Sequence, residues 1–259
     1  MAGNQGPHGQ PNAPAPDIKP RDASGAVPDS AAQKRRAFLA LLLLIPVPSL
    51  GTAASLFWWP ELPVGKVVFI AGKIWVALLP WLWLQWVDRN RLSWSPPRHG
   101  GFGVSLASGA VLAGIILAAW FAAEKAGLVD PAGVAARAAR TGLSDRGLYI
   151  LGALYWITLN SLMEEYVWRW FVFRKFETLF GGRPAVLAAA LGFTLHHVIA
   201  LAAQFGWQAT VAGSLGVFIG GVTWSWLYLR YRSVWPCYLS HAMVDVPIFI
   251  IGYWLIFGG

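Results

Sequence analysis

The sequence is short of charge. Only 12% of its 259 residues are Asp, Glu, Lys or Arg, and 56% are hydrophobic. Ordinary soluble domains carry about 25% charged residues. A chain this poor in charge cannot cover itself with a solvated surface, which excludes a water-soluble globular protein. Cysteine is nearly absent: Cys237 stands alone, so no internal disulfide framework is available. Several familiar motifs are missing as well. There is no HExxH, which excludes an ordinary zincin. No GxSxG or comparably placed Ser–His pair points to a serine protease, and there is no Walker-type phosphate loop. The net charge of +8 does not mark a nucleic-acid partner, because basic residues in a membrane protein mark cytoplasmic loops.

What the chain has instead is long apolar runs. Residues 1–33, rich in Pro, Gly, Ala, Asn and Asp, lack apolar periodicity and read as a disordered tail. Residues 34–259 read as an all-α, polytopic membrane bundle of about eight segments. Lys34, Arg35 and Arg36 precede a first run, 37–58, too long for a signal peptide and expected to kink at Pro46 and Pro48. Further spans are expected over 66–87, 101–124, 147–173, 184–203 and 209–229. The last apolar stretch, 234–257, reads as two short segments split around Asp245, Val246 and Pro247. Residues 125–146 are either a short amphipathic surface helix or a loop. Lys73, inside the second span, is expected to snorkel toward the near membrane face.

Basic residues set the orientation. With the N-terminus cytoplasmic, one side collects Lys34, Arg35, Arg36, Arg89, Arg91, Arg98, Arg174, Lys175, Arg183, Arg230 and Arg232. The other side collects Lys66, Lys125, Arg137, Arg140 and Arg146. This asymmetry predicts a multi-pass protein of the cell membrane with its N-terminus inside and, with eight segments, its C-terminus inside too.

Three polar clusters interrupt the apolar spans. Within LNSLMEEYVWRWFVF, residues 159–173, lie Glu164, Glu165 and Arg169. A charge in mid-membrane costs at least about 2.5–3.5 kcal/mol, so such residues face a partner or a cavity. Helical rotation of about 100° per residue puts Glu165 and Arg169 on one face, where they can pair. Glu164 points away from that pair, without an obvious partner on its own helix, and is the carboxylate best placed to act as a general base. The alternative is a salt-bridge network that only fixes packing. In FTLHH, Phe193 and His197 share a face and His196 points elsewhere; either imidazole could be a hydrogen-bonded core residue. His241 and Asp245, again four apart, would let a carboxylate orient an imidazole or let both bind one metal. Together the clusters supply the parts for carboxylate-driven or metal-assisted activation of water.

In order, Glu164-Glu165-x-x-x-Arg169, Phe193-x-x-x-His197 and His241-x-x-x-Asp245 resemble the three-motif signature of the CPBP family. That family includes the CAAX prenyl endopeptidases of the Rce1 type and the bacterial Abi-domain proteins. The resemblance covers about residues 37–257 and is most specific from Tyr149 onward. It implies an Rce1-like helical fold and an intramembrane endopeptidase in which Glu164, helped by His197, activates water. His241 and Asp245 would stabilise the oxyanion or complete the site, and Glu165 and Arg169 would shape it electrostatically. The family is described both as metalloproteases and as metal-independent glutamate proteases. A zinc ion, if used, is expected on His197, His241 and Asp245. The last motif position is often Asn in the family; Asp245 donates to an oxyanion only when protonated, which favours orienting His241 or binding a metal. The implied partners are the lipid bilayer and a protein or peptide substrate. Two rival readings are a non-catalytic membrane scaffold or immunity protein and a proton-coupled transporter using Glu164 and Asp245.

Overall fold

The computed structural model describes residues 30–140 and 142–258. The anticipated tail therefore lies outside the described residues as far as residue 29. Residues 30–33 form the first turn of a helix. The described chain is all-helical.

Among the described residues, eight helices follow in order. α1, Ser30–Trp58, breaks at Ile45 just before Pro46. Proline has no N–H to donate and its ring crowds the preceding turn. α2 is Pro63–Trp86, with proline in its first turn, where a missing N–H costs nothing. α3 is Phe102–Lys125 and α4 is the short Pro131–Arg140. α5 runs over 146–180 without a break, and α6 is Gly182–Gln204. α7 is Trp207–Tyr231 and α8 is Val234–Phe257. Six of these, α1, α2, α3, α6, α7 and α8, are long and apolar enough to cross a membrane. α5 is the seventh long helix and carries the Glu-Glu cluster.

Two expectations need correction. The stretch 234–257 is one helix, not two short segments. Pro247 removes one backbone hydrogen bond, and membrane helices absorb that loss where neighbours pack around it. Seven long helices run through the bundle, so the start of α1 and the end of α8 lie at its opposite ends, where eight segments had put them on one side. Contacts agree. At one end Arg36 Nη1 donates to the Val87 carbonyl at 3.3 Å, Lys175 pairs with Asp88, and Arg232 pairs with Glu177 at 2.8 Å. At the other end Arg146 lies over the Phe257 ring at 5.7 Å. Of the two readings for 125–146, the helix is the one formed, and α4 packs on α8.

The bundle is apolar on its outside and carries its polar groups within. Exposed Phe38, Ile70, Val111, Ile115, Leu191 and Val211 face outward, as a lipid-facing surface requires. Glu165, Arg169 and His241 are buried. α5 is central and touches α1, α2, α6, α7 and α8. α3 packs closely on α8 because Gly109 has no side chain: a Cβ there would lie 2.9 Å from Met243 Sδ. Ser108 and Ser240 bond across the same seam at 3.1 Å, and Ser105 Oγ donates to the Pro236 carbonyl. The loop between α2 and α3 is stitched to the start of α8. Ser233 Oγ donates to the Ser95 carbonyl at 2.6 Å, and Ser95 Oγ accepts from Val234 N at 3.1 Å. These ties set the height of α8, and with it that of His241.

Candidate active site

α5 is not a uniform helix. It widens into π-helical turns at Trp156–Asn160 and Tyr166–Phe173, on either side of Ser161–Glu165. The wider turn lets Ser161 Oγ reach back to the Trp156 carbonyl at 2.7 Å. Such turns occur often at functional sites. They change which side chains share a face, and no simple periodicity in the sequence announces them.

Glu165 is fully buried and sits 3.2 Å from Arg169 Nε, as the four-residue spacing predicts. The contact is an ion pair rather than an aligned hydrogen bond. Both Arg169 Nη atoms lack a hydrogen-bond acceptor among the described residues. The guanidinium instead lies over the Phe193 and Trp224 rings, at 4.7 and 5.1 Å, where the ring faces supply negative potential. The other Glu165 oxygen, Oε1, accepts from His241 Nδ1 at 2.7 Å. One carboxylate therefore ties α5 to α8.

His241 is gripped on several sides. Trp224 stacks on it at 3.9 Å and Phe193 meets it edge-on at 6.1 Å. Because Nδ1 serves Glu165, Nε2 is the atom left to face the site. It lies 3.9 Å from Glu164 Oε2 and 3.8 Å from Asp245 Oδ1. Asp245 was expected to orient His241. In the structure Glu165, from the facing helix, takes that place at shorter range, and Asp245 Oδ2 accepts from Ser161 Oγ at 2.6 Å.

Glu164 was expected to lack a partner on its own helix. It has one: Asn160 Nδ2 donates to Glu164 Oε1 at 2.9 Å. Asn160 Oδ1 in turn accepts from Lys73 Nζ at 2.8 Å. Lys73 therefore reaches into the bundle and does not snorkel outward. A polar acceptor and the Trp156 ring, 4.6 Å away, hold it there. Asn160 and Glu164 are four apart on one helix, a spacing visible in the sequence. Lys73 is 87 residues away, and no local pattern joins it to them.

His197 Nδ1 lies 2.9 Å from the Phe193 carbonyl. A carbonyl only accepts, so Nδ1 carries the proton and Nε2 holds the free lone pair. His196 stacks on Trp168, with ring centroids 5.6 Å apart, and its Nδ1 has no hydrogen-bond partner among the described residues. Glu164, His196 and His197 each offer a ligand atom within 4.8 Å of the others. This set shares only His197 with the expected trio of His197, His241 and Asp245. Helical rotation turns His196 away from His197, so spacing gives no sign of this grouping; adjacent residues on a helix can still border one cavity.

That cavity, about 640 Å³, lies between α1, α2, α5 and α6. Its walls are mostly apolar, with Gly51, Phe69, Trp156 and Val167 among them. Glu164, His196, His197 and Lys73 are its ionisable lining. Its size suits an extended apolar peptide segment or acyl-like group. The arrangement provides a carboxylate and an imidazole lone pair at the wall of a mostly apolar cavity, with the oriented imidazole of His241 beside Glu164, which is the equipment for activating water.

No curated protein and no solved structure matches the chain. Residues 146–247, which hold α5, α6, α7 and the part of α8 with His241 and Asp245, match the family model described as type II CAAX prenyl endopeptidase Rce1-like, and the resemblance seen in the three motifs stands over that segment.

Proposed function

We propose that the protein is an intramembrane endopeptidase that hydrolyses a peptide bond of a membrane-associated protein or peptide, in the cell membrane with the N-terminal end of α1 cytoplasmic. One observation carries the reading. Glu164, buried and held by Asn160, faces a large apolar cavity together with His197. A water between Glu164 and His197 Nε2 loses a proton to Glu164 while its oxygen bonds to the scissile carbonyl carbon. His241 turns Nε2 toward Glu164, 3.9 Å from its Oε2; as an imidazolium it would donate to the carbonyl oxygen as negative charge develops. The C–N bond then breaks, and the proton on Glu164 passes to the leaving nitrogen. The products are a carboxylate and an amine. Glu165, Arg169 and Asp245 hold His241 and the local charge in place.

The donor set also fits a zinc ion. Glu164, His196 and His197 are the two imidazoles and one carboxylate of a common catalytic zinc site. Their spread of up to 4.8 Å needs closing toward the roughly 3.4 Å implied by tetrahedral bonds of about 2.1 Å. Bound there, zinc would polarise a carbonyl and lower the pKa of a coordinated water.

Purified protein in detergent tests both points. Glu164→Gln should abolish peptide hydrolysis, by at least about 100-fold for loss of a general base, while the fold stays intact. Hydrolysis at the wild-type rate in that variant overturns the assignment. Near-stoichiometric zinc in the wild type, lost in both His196→Ala and His197→Ala, establishes the metal site. Cleavage by metal-free protein assigns water activation to Glu164 and His197 alone.

A further inference from the structure

Lys73 is the group the hydrolytic reading leaves unused. It lies on α2, outside the segment that matches the family model. Of its three donors, one goes to Asn160 Oδ1. Three other cations of the bundle have carboxylates: Arg169 has Glu165, Lys175 has Asp88 and Arg232 has Glu177. None of the ion pairs among the described residues involves Lys73. Its nearest anion, Glu164, is separated from it by the Asn160 amide. Its ammonium therefore sits at the wall of an apolar cavity, steadied by the Trp156 face and one neutral acceptor. An ammonium in such surroundings is costly unless an anion joins it. The cavity has room for that anion, and Glu164 lines the same space.

Building on the hydrolase reading, we propose that Lys73 forms a carboxylate-binding subsite, so that the preferred substrate places a carboxylate in the cavity beside the scissile bond. The carboxylate comes from either of two sources: a free C-terminus, or an Asp or Glu side chain. An apolar wall with a single cation selects a largely apolar segment bearing one negative charge. The charge fixes the register of the peptide against Glu164, as a bound ion pair would in an apolar site.

The test is a binding measurement, so it does not depend on turnover. Fluorescence anisotropy follows an apolar heptapeptide, labelled at its N-terminus, binding to the purified full chain in detergent micelles. Three forms are compared: the free C-terminal acid, the C-terminal amide, and the amide with Asp at one of the last three positions. The acid, or the Asp-bearing amide, should bind wild type at least tenfold tighter than the plain amide, about 1.4 kcal/mol. The form that gains identifies the source. The preference should vanish in Lys73→Met and survive in Lys73→Arg, which keeps the charge. Equal binding of all three forms to wild type overturns the proposal, and needs no variant. So does an unchanged preference in Lys73→Met. Charge-selective binding without any cleavage sinks the hydrolase reading while leaving the subsite standing. Cleavage without charge selectivity does the reverse.

Discussion

Two adjacent glutamates should behave in opposite ways when each loses its charge. Glu165 is 0% exposed and Arg169 1% exposed, and they form an ion pair at 3.2 Å. Glu165→Gln keeps the shape but leaves the guanidinium buried without a counter-charge. Removing one partner of a buried pair costs about 3–5 kcal/mol. At roughly 2–4 °C per kcal/mol for a chain of this size, the melting midpoint should fall by about 6–20 °C. Glu164 has a neutral hydrogen-bond donor in Asn160, and the basic nitrogen paired with it, His241 Nε2, is 3.9 Å away. A glutamine there still accepts from Asn160 through its carbonyl oxygen. Glu164→Gln should therefore shift the midpoint by less than about 4 °C, the equivalent of one neutral hydrogen bond. The assay is thermal unfolding in one detergent, read by intrinsic tryptophan fluorescence, beside peptide hydrolysis. The double variant Glu165→Gln/Arg169→Met should regain part of the lost stability, because it removes the stranded charge. Equal midpoints for Glu164→Gln and Glu165→Gln would refute the assignment of Glu165 to the structural pair and Glu164 to the cavity.

Three further outcomes are expected. Gly109→Leu should force α3 away from Met243 on α8, at about 1–3 kcal/mol of overpacking; a lower melting midpoint and slower hydrolysis check it, since His241 lies next to Ser240 at that seam. Tyr149→Phe removes the 2.8 Å bond to the Phe249 carbonyl at the far end of α5; stability should drop by about 0.5–1.5 kcal/mol with hydrolysis unchanged. Ser161→Ala removes the donor to Asp245 at 2.6 Å; kcat should fall while the melting midpoint moves by less than about 4 °C.

Much of this molecule was legible in the sequence. Apolar runs interrupted by basic turns predicted an all-helical membrane bundle, because a backbone in lipid must satisfy its hydrogen bonds within a helix. The pairing of Glu165 with Arg169 followed from helical rotation alone. The convergence of three polar clusters followed from a different rule, that isolated charges in hydrocarbon need partners. The partners themselves were decided by the tertiary structure. Glu165 binds His241 across 76 residues, and Lys73 binds Asn160 across 87. Periodicity places a side chain on a face; it says nothing of which helix that face meets. Asp245 shares a helical face with His241, yet Glu165 holds the imidazole because helix packing brings it closer. Pro247 bends the expectation for α8 but not its continuity, since neighbouring helices supply the support a lone helix lacks. Lys73 turns inward for the same reason. Its favourable contacts, Asn160 and Trp156, exist only once α2 and α5 are side by side.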